Sequence, residues 1–140
     1  MRPTRRTSSR ADGFKSGLEA KIAKQIEEVT GKAALYETQT VEYTKPARVH
    51  RYKPDFILPN GIIVEGKGIF DAADREKHLL VAAQHPDLDI RFVFSRSEAP
   101  IYPKSPTTMG DWCRKWGFKF ADKLIPISWF KEKRKNVSHV

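Results

Sequence analysis

The stretch Tyr52–Lys67 reads YKPDFILPNGIIVEGK and decides the fold of the region around it. Two β-prone runs flank Pro59-Asn60-Gly61, a pattern typical of a β-hairpin. Two loops are compatible with these residues. Asn60-Gly61 alone forms a two-residue turn, whereas all three residues form a type I turn closed by a left-handed glycine. We favour the three-residue loop, because Pro59 suits the second position of a type I turn and Gly61 suits the bulge.

The length of this loop sets which side chains share a face of the hairpin. A three-residue loop pairs Leu58 with Ile62 and Asp55 with Glu65, and cross-strand partners point to the same face. Lys67, two residues after Glu65, shares that face. A two-residue loop would instead send Glu65 to the opposite face. Apolar residues are expected on both faces, so the hairpin should be central in its sheet: Ile57 and Ile63 beside the carboxylates, and Phe56, Leu58, Ile62 and Val64 on the reverse.

Two carboxylates and an amine on one face are the functional groups that metal-assisted phosphodiester cleavage requires. Carboxylate oxygens suit a hard divalent cation such as Mg²⁺ or Mn²⁺, and a nearby lysine can hold a phosphate oxygen or orient the attacking water. Acidic groups on a central strand are costly unless they are compensated, and a metal compensates them. The alternative is that Asp55, Glu65 and Lys67 form a cross-strand salt bridge at a sheet margin.

The composition of the chain restricts the remaining possibilities. At 140 residues one domain is the default, and the single cysteine, Cys113, excludes an internal disulfide and suits a reducing cytosol. No Cys/His metal spacing is present, and no apolar run approaches membrane-spanning length. We therefore expect no membrane partner and a cytoplasmic location, which is the host cytoplasm if the protein is viral.

The net charge of +9 is concentrated at the two ends of the chain. Residues 1–15 carry +4 and residues 131–140 carry +3, so the middle of the chain carries only +2. Basic ends on a near-neutral body favour contact with a polyanion, through salt-sensitive phosphate contacts. Two other interpretations of the N-terminal segment are a solvated arm and an organelle transit peptide, although it lacks an amphipathic face. We expect residues 1–14 to be a disordered basic DNA-binding arm, 15–130 a nuclease domain, and 131–140 a basic tail.

The remaining pattern predicts an α/β fold, a mixed central β-sheet flanked by helices. The first helix should begin after Ser16, bury a stripe of Leu18, Ile22, Ile26 and Val29, and end at Gly31. A long polar strand is expected over 35–44, interrupted by Lys45-Pro46-Ala47. Asp71 should cap a helix reaching about Gln84, and 90–95 should form a strand. Ser105-Pro106 should cap a third helix carrying Met109, Trp112, Cys113 and Trp116, before a short strand and a helical turn within 118–130.

Glu19 has two interpretations. As the third residue after the Ser16 N-cap, it completes a capping box and needs no catalytic role. The same helix N-terminus would also favour a phosphate nearby, which is compatible with a place in an active site.

Several stretches of the chain, taken together and in order, resemble the phage endonuclease I family of junction-resolving enzymes, within the PD-(D/E)xK nuclease superfamily. The resemblance covers about residues 14–131. The matching stretches are Phe14–Glu19, Tyr52–Gly61, Val64–Gly68, Asp74-Arg75, Lys77–Leu80, Gln84–Pro86 and Phe120–Pro126.

The resemblance implies a catalytic set and an assembly. Asp55 and Glu65 match the metal-binding carboxylates, Lys67 matches the catalytic lysine, and Glu19 matches a catalytic glutamate of the first helix that joins the metal site. The family is an intertwined, domain-swapped homodimer with a restriction-endonuclease-like fold, in which that glutamate completes the site of the other subunit. Gly66 departs from the usually polar middle of the Glu-x-Lys element, but it points away from the carboxylates, so we expect little chemical effect.

The expected function is metal-dependent nicking of four-way (Holliday) and other branched double-stranded DNA, with one or two Mg²⁺ or Mn²⁺ ions per site. Rival interpretations are a non-catalytic basic nucleic-acid-binding protein and a sequence-specific duplex endonuclease of the same superfamily. An RNA-binding factor lacks a recognisable stacking motif. The candidate phosphate contacts are Arg5, Arg6, Arg10, Lys15, Ser16, Lys53, Arg75 and Lys77.

Overall fold

A computed structural model of the protein describes residues 13–45 and 48–134, and it contains a mixed sheet with helices on both faces. The helices are α1 (Gly17–Thr30), α2 (Ala72–Gln84), α3 (Met109–Trp116) and α4 (Ile127–Lys131). The strands are β1 (Leu35–Tyr36), β2 (Val41–Lys45), β3 (Arg48–Tyr52), β4 (Phe56–Ile57), β5 (Ile63–Lys67), β6 (Ile90–Phe94) and β7 (Phe120–Asp122). The predicted α/β class is confirmed.

The main sheet has the order β1-β4-β5-β6-β7, and β2 pairs with β3 in a separate two-stranded sheet. β4 and β5 are antiparallel, whereas β5, β6 and β7 run parallel. The 56–67 hairpin is therefore interior to the sheet, as its two apolar faces predict.

The predicted three-residue loop and its register are confirmed. Phe56 pairs with Val64 and Ile57 with Ile63. The Leu58 N–H donates to the Ile62 carbonyl at 2.8 Å, and Gly61 N–H closes the turn on the Leu58 carbonyl. Gly61 has a φ of 92°, the left-handed backbone that the bulge position requires.

The two faces of the hairpin enter two different cores, as the register predicts. On one face, α1 and α4 cover a core that contains Phe56, Leu58, Ile62 and Val64. On the other face, Ile63 packs into an aromatic core with residues of α2, α3, β2 and β6, including Phe70, Val81, Phe92, Phe94 and Trp112. Cys113 lies in this second core, as expected.

Helix boundaries are predicted better than strand boundaries. Ser16 caps α1 and Gly31 ends it in the left-handed region, and Asp71 caps α2. The long strand predicted over 35–44 is wrong, because Glu37 has a φ of 53° and the chain bends between β1 and β2. The strand predicted over 52–58 is likewise divided, since Tyr52 ends β3 and β4 begins only at Phe56.

Three further details of the helices differ from the prediction. α3 begins later, with Thr108 rather than Ser105 as its cap, because the Thr108–Asp111 pair forms a reciprocal capping box. Val29 is 42% exposed and Trp116 is 48% exposed, so neither joins a buried stripe. Both lie in the final turn of their helix, where the helix extends past the core that it covers.

The predicted arm and tail lie mostly outside the described residues, which leave out 1–12, 46–47 and 135–140. Phe14 packs edge-on against Tyr36 with ring centroids 4.5 Å apart. At the other end, the Glu132 carboxylate accepts hydrogen bonds from the buried Arg91 guanidinium at 2.7 and 2.8 Å. Within the described ranges, no helix has the length and apolar character needed to cross a membrane.

Candidate active site

Asp55 directly precedes β4 and Glu65 lies in β5, and a backbone N–H from each side of the hairpin donates to the carboxylate of the other side. The Asp55 N–H donates to Glu65 Oε2 at 3.0 Å. In return, the N–H of Gly66 donates to Asp55 Oδ2 at 3.0 Å. These bonds follow from the cross-strand register, which sets the backbone of one strand against the side chain of the other. The predicted convergence of the two acidic residues is therefore present.

Glu65 is buried on the aromatic side of the sheet, where Tyr52 and His78 surround it. The Tyr52 hydroxyl donates to Glu65 Oε2 at 2.6 Å, and His78 Nε2 lies 3.9 Å from Glu65 Oε1. Burial raises the pKa of Glu65, although Lys67, Tyr52 and the Asp55 N–H partly oppose the rise. Burial and the Glu65 charge hold the pKa of Tyr52 well above its usual value, so Tyr52 remains a donor.

The pKa of Asp55 is raised as well. Burial, followed by the charges of Glu65 and Glu19, raises the pKa of Asp55 to about 9, against the lowering effects of Lys67 and the Gly66 N–H. Two carboxylates so close together cannot easily both ionise without added positive charge. A divalent cation supplies that charge, so this arrangement suits a metal ion.

Lys67 lies on the same side as Glu65, as predicted, but it also has a partner that the sequence did not indicate. Its ammonium is 3.7 Å from Glu65 Oε1 and 3.3 Å from Asp74 Oδ2. Burial lowers the pKa of Lys67, but Glu65, Asp74 and Asp55 outweigh it and the net direction is upward. Lys67 is therefore held protonated, as a donor to anionic oxygens rather than as a proton acceptor.

Glu19 is near the pair but is directed elsewhere. It is buried at the first turn of α1, and its Oε1 accepts from the Lys15 N–H at 3.0 Å and from the Tyr36 hydroxyl at 2.8 Å. The predicted capping box is only half formed, since Ser16 Oγ accepts from the Glu19 N–H but the Glu19 carboxylate bonds one residue earlier. The carboxylate of Glu19 therefore does not cap the helix through the Ser16 N–H.

The fit to a metal ion rests on two carboxylates rather than three. Over residues 13–45 and 48–134, no group of three or more His, Cys, Asp or Glu side chains is arranged to hold a metal. Asp55 and Glu65 nevertheless fit Mg²⁺ or Mn²⁺, because such ions commonly take one or two protein carboxylates and complete their shell with water and substrate phosphate.

The candidate phosphate contacts are dispersed. Lys15 is paired with Glu37, and Ser16 is the α1 cap. The Arg75 guanidinium donates to the carbonyls of Phe70 and Ile101, which is a structural role. Lys77 pairs with Asp74, and Lys53 is exposed. Arg5, Arg6 and Arg10 lie outside the described residues.

Four side chains around the site are absent from the predicted set: Tyr36, Tyr52, Asp74 and His78. Asp74 and His78 are four residues apart on α2, so they share a face of the helix. Both His78 ring nitrogens are buried without a hydrogen-bond partner among the described residues. Two polar residues at this spacing, on a helix face that otherwise packs on the core, are the sequence pattern that could have identified Asp74 and His78 as site residues.

Comparisons with known proteins identify the family of the chain. The family model of phage endonuclease I matches residues 2–140. The chain is 55% identical over 124 residues to Endonuclease I of Escherichia phage T7, across 89% of this chain and 83% of that protein. It is 52% identical over 124 residues to Endodeoxyribonuclease 1 of Enterobacteria phage T3, across 89% of this chain and 81% of that protein. A family model spanning nearly the whole chain and relatives at this identity establish that the chain belongs to the phage endonuclease I family.

Proposed function

We propose that this chain is a metal-dependent endodeoxyribonuclease that resolves four-way and other branched DNA by paired nicks. The chain is a DNA endonuclease, as its family and the names of its relatives indicate. The observation that carries the proposal is the Asp55–Glu65 pair, in which two mutually repelling carboxylates lie beside a protonated Lys67. A salt bridge alone explains this less well, because one ammonium does not offset both buried acids.

Asp55 and Glu65 would hold one or two Mg²⁺ or Mn²⁺ ions. The bound ion would polarise the scissile phosphate and lower the pKa of the attacking water. Tyr52 and the Asp55 N–H fix the Glu65 carboxylate, and the Gly66 N–H fixes that of Asp55, so both are oriented before the substrate arrives. Lys67 would donate to phosphoryl oxygens as negative charge develops on them.

We further propose that the working form is a domain-swapped homodimer with a restriction-endonuclease-like fold. β2 and β3 form a sheet separate from the main sheet. Exchange of the segment that ends with β2 would therefore move α1, β1 and β2 onto a partner while leaving β4–β7 paired. Two symmetric sites suit a substrate with two strands to be cut, and the dimer would act in the host cytoplasm, where phage DNA is processed.

The test compares a four-way junction with a linear duplex built from the same arms, each with and without Mg²⁺. We expect nicking of the junction only with the metal. Asp55→Asn and Glu65→Gln should each slow nicking by at least about 100-fold, because several kcal/mol of charge stabilisation are lost. Junction binding should remain, since phosphate contacts elsewhere supply it.

Glu98→Gln is the matched control, because it removes a carboxylate from an exposed position outside the site. It should nick at the wild-type rate. Wild-type nicking by purified Asp55→Asn would refute the catalytic assignment. Equal cutting of the linear duplex at one sequence would favour a sequence-specific endonuclease, and binding without any metal-dependent nicking would favour a non-catalytic DNA-binding protein.

A further inference from the structure

A groove of about 690 Å³ lies on the outer side of α1, between that helix and the turn that follows β7. Lysines on both walls line it: Lys21 and Lys24 on α1, and Lys123 on the opposite wall. Leu18 and Leu124 contribute apolar lining between them. The cavity thus combines cationic walls with an apolar interior.

The two walls are fastened to each other and to the sheet. The side chain of Gln25, on α1, donates to the Ile125 carbonyl at 2.8 Å and accepts from the Ile125 N–H at 2.9 Å. The Lys123 N–H donates to the carbonyl of Phe94, at the end of β6, at 2.7 Å. Lys123 also has a φ of 70°, which is uncommon for a residue with a side chain. These bonds fix the position of one wall of the groove relative to the other.

The three lysines are exposed and available. Within the described ranges, none of their ammonium groups forms an ion pair or a hydrogen bond with another side chain, in contrast to Lys15, Lys67 and Lys77, which are each paired with a carboxylate. One acid, Glu28, lies along the groove. Three unpaired cations against one acid leave the groove positive, which suits an anionic occupant.

One end of the groove meets the strand that carries the catalytic residues. Leu18, which lines the groove, has its Cδ2 atom 3.6 Å from where a Cβ on Gly66 would lie, and Glu19 follows it in α1. Ser95 also lines the groove, and its N–H donates to the Lys67 carbonyl at 3.1 Å. The groove therefore begins at the carboxyl ends of β5 and β6, on the face of the sheet opposite Glu65 and Lys67. A polymer with its phosphate at Asp55 and Glu65 would reach the groove by passing over that end of the sheet.

We propose that this groove binds the sugar–phosphate backbone of one duplex arm next to the cleaved phosphate. Lys21, Lys24 and Lys123 would contact phosphates, and Leu18 and Leu124 would pack against deoxyribose. This rests on the proposed function, because it takes the substrate to be DNA. Contacts of this kind position DNA without reading its sequence, as a structure-selective enzyme requires. None of the three lysines is among the candidates that the sequence indicated.

The experiment measures binding of a four-way junction over a range of salt concentrations, with all proteins carrying Asp55→Asn so that the DNA stays intact. The variant combines Lys21→Ala, Lys24→Ala and Lys123→Ala. Each lost phosphate contact lowers the slope of log affinity against log salt by roughly 0.9, so the slope should flatten by about 2 to 3.

The matched control combines Lys32→Ala, Lys104→Ala and Lys115→Ala, which removes the same charge from exposed positions outside the groove. Lys104 is a close match for Lys123, because it too has a left-handed φ, of 66°. The control should keep the wild-type slope. Circular dichroism of both variants checks that they are folded, as exposed substitutions rarely cost more than about 0.5 kcal/mol.

The outcomes separate this proposal from the one on which it rests. If both triple variants flatten the slope equally, the effect is one of net charge and the groove proposal is wrong. An unchanged slope for the groove variant overturns it as well, and a change of sedimentation without a change of slope would instead assign the groove to a second copy of the chain. Metal-dependent nicking by the unmodified chain is measured separately, so failure there contradicts the proposed function alone.

Discussion

At the scale of single residues, the candidate active site is an energetically unfavourable arrangement that the rest of the fold maintains. Asp55 and Glu65 are brought together by backbone pairing, and the Lys67 ammonium forms ion pairs with both Glu65 and Asp74. The pKa of each acid is raised, first of all by burial. Buried acids of this kind lower stability unless added positive charge offsets them.

A pH dependence of stability follows from Asp55. Its pKa is about 9 in the folded chain against an ordinary 3.8, so between those values the folded state holds a proton that the unfolded chain has lost. The associated stability is complete below about pH 4 and is lost as pH rises towards 9. In EDTA, wild-type stability should fall from pH 5 to pH 9. Asp55→Asn should flatten that fall and raise Tm at pH 8 by about 3–8 °C.

Thermal unfolding at several pH values measures this effect, and Glu98→Gln again serves as the control that should follow the wild type. Adding Mg²⁺ at pH 8 should raise the Tm of the wild type more than that of Asp55→Asn, because a bound ligand stabilises only the fold that binds it. Parallel pH profiles for wild type and Asp55→Asn would show that Asp55 is not perturbed in this way.

At the scale of elements, the contact between α1 and β5 places Glu19 beside the cross-strand pair. A Cβ on Gly66 would lie 3.1 Å from Ile22 Cδ1 and 3.7 Å from Glu19 Cγ. Gly66 does point away from Glu65, as the register predicts, but it faces the helix that carries Glu19. The expectation that this glycine has little chemical effect therefore overlooks α1, which comes from a distant part of the sequence.

Gly66→Val should both destabilise the fold and impair nicking. Its side chain would overpack the α1–β5 contact, at a cost of about 1–3 kcal/mol. Because the valine would also press on the Glu19 side chain, whose Cγ lies 3.7 Å from the Cβ position, Glu19 should shift, and junction nicking should fall at temperatures where the protein is still folded. Urea unfolding and single-turnover nicking on the same samples measure the two effects.

Gly68→Val is the control for that substitution, since the nearest atom to a Cβ there, Ser95 Oγ, is 3.7 Å away. It should cost less stability than Gly66→Val. Combining Gly66→Val with Ile22→Ala should be less destabilising than the sum of the two single changes, because the shortened Ile22 makes room for valine. Simple additivity would mean that the two positions do not compete for space.

At the scale of the whole molecule, the proposed exchange determines which chain supplies Glu19 to each site. In the described chain, α1 packs on its own β4 and β5, whereas the proposed dimer exchanges it. The same contacts serve both arrangements, since exchange replaces one copy of α1 with an identical one. Domain exchange therefore alters connectivity but leaves the composition of each site unchanged.

Mixing two inactive chains distinguishes the arrangements. A heterodimer of Glu19→Gln and Asp55→Asn chains has one fully intact site if Glu19 acts on its partner, and none if it acts within its own chain. With differently tagged chains expressed together, we expect the purified heterodimer to regain nicking of one strand, at about half the wild-type rate per dimer. Each homodimer is the inactive control. An inactive heterodimer that still binds the junction would contradict the exchange.

The sequence by itself determined the hairpin, its register, the caps of α1 and α2, and the convergence of Asp55, Glu65 and Lys67. These depend on a loop of three residues and on side-chain alternation, which act over short separations. Only the tertiary structure decided what surrounds the carboxylates: Tyr52 and His78 around Glu65, Asp74 on Lys67, Tyr36 on Glu19, and the lysine groove beside α1. Those contacts join elements far apart in the chain, and their geometry is set by packing that local patterns do not encode.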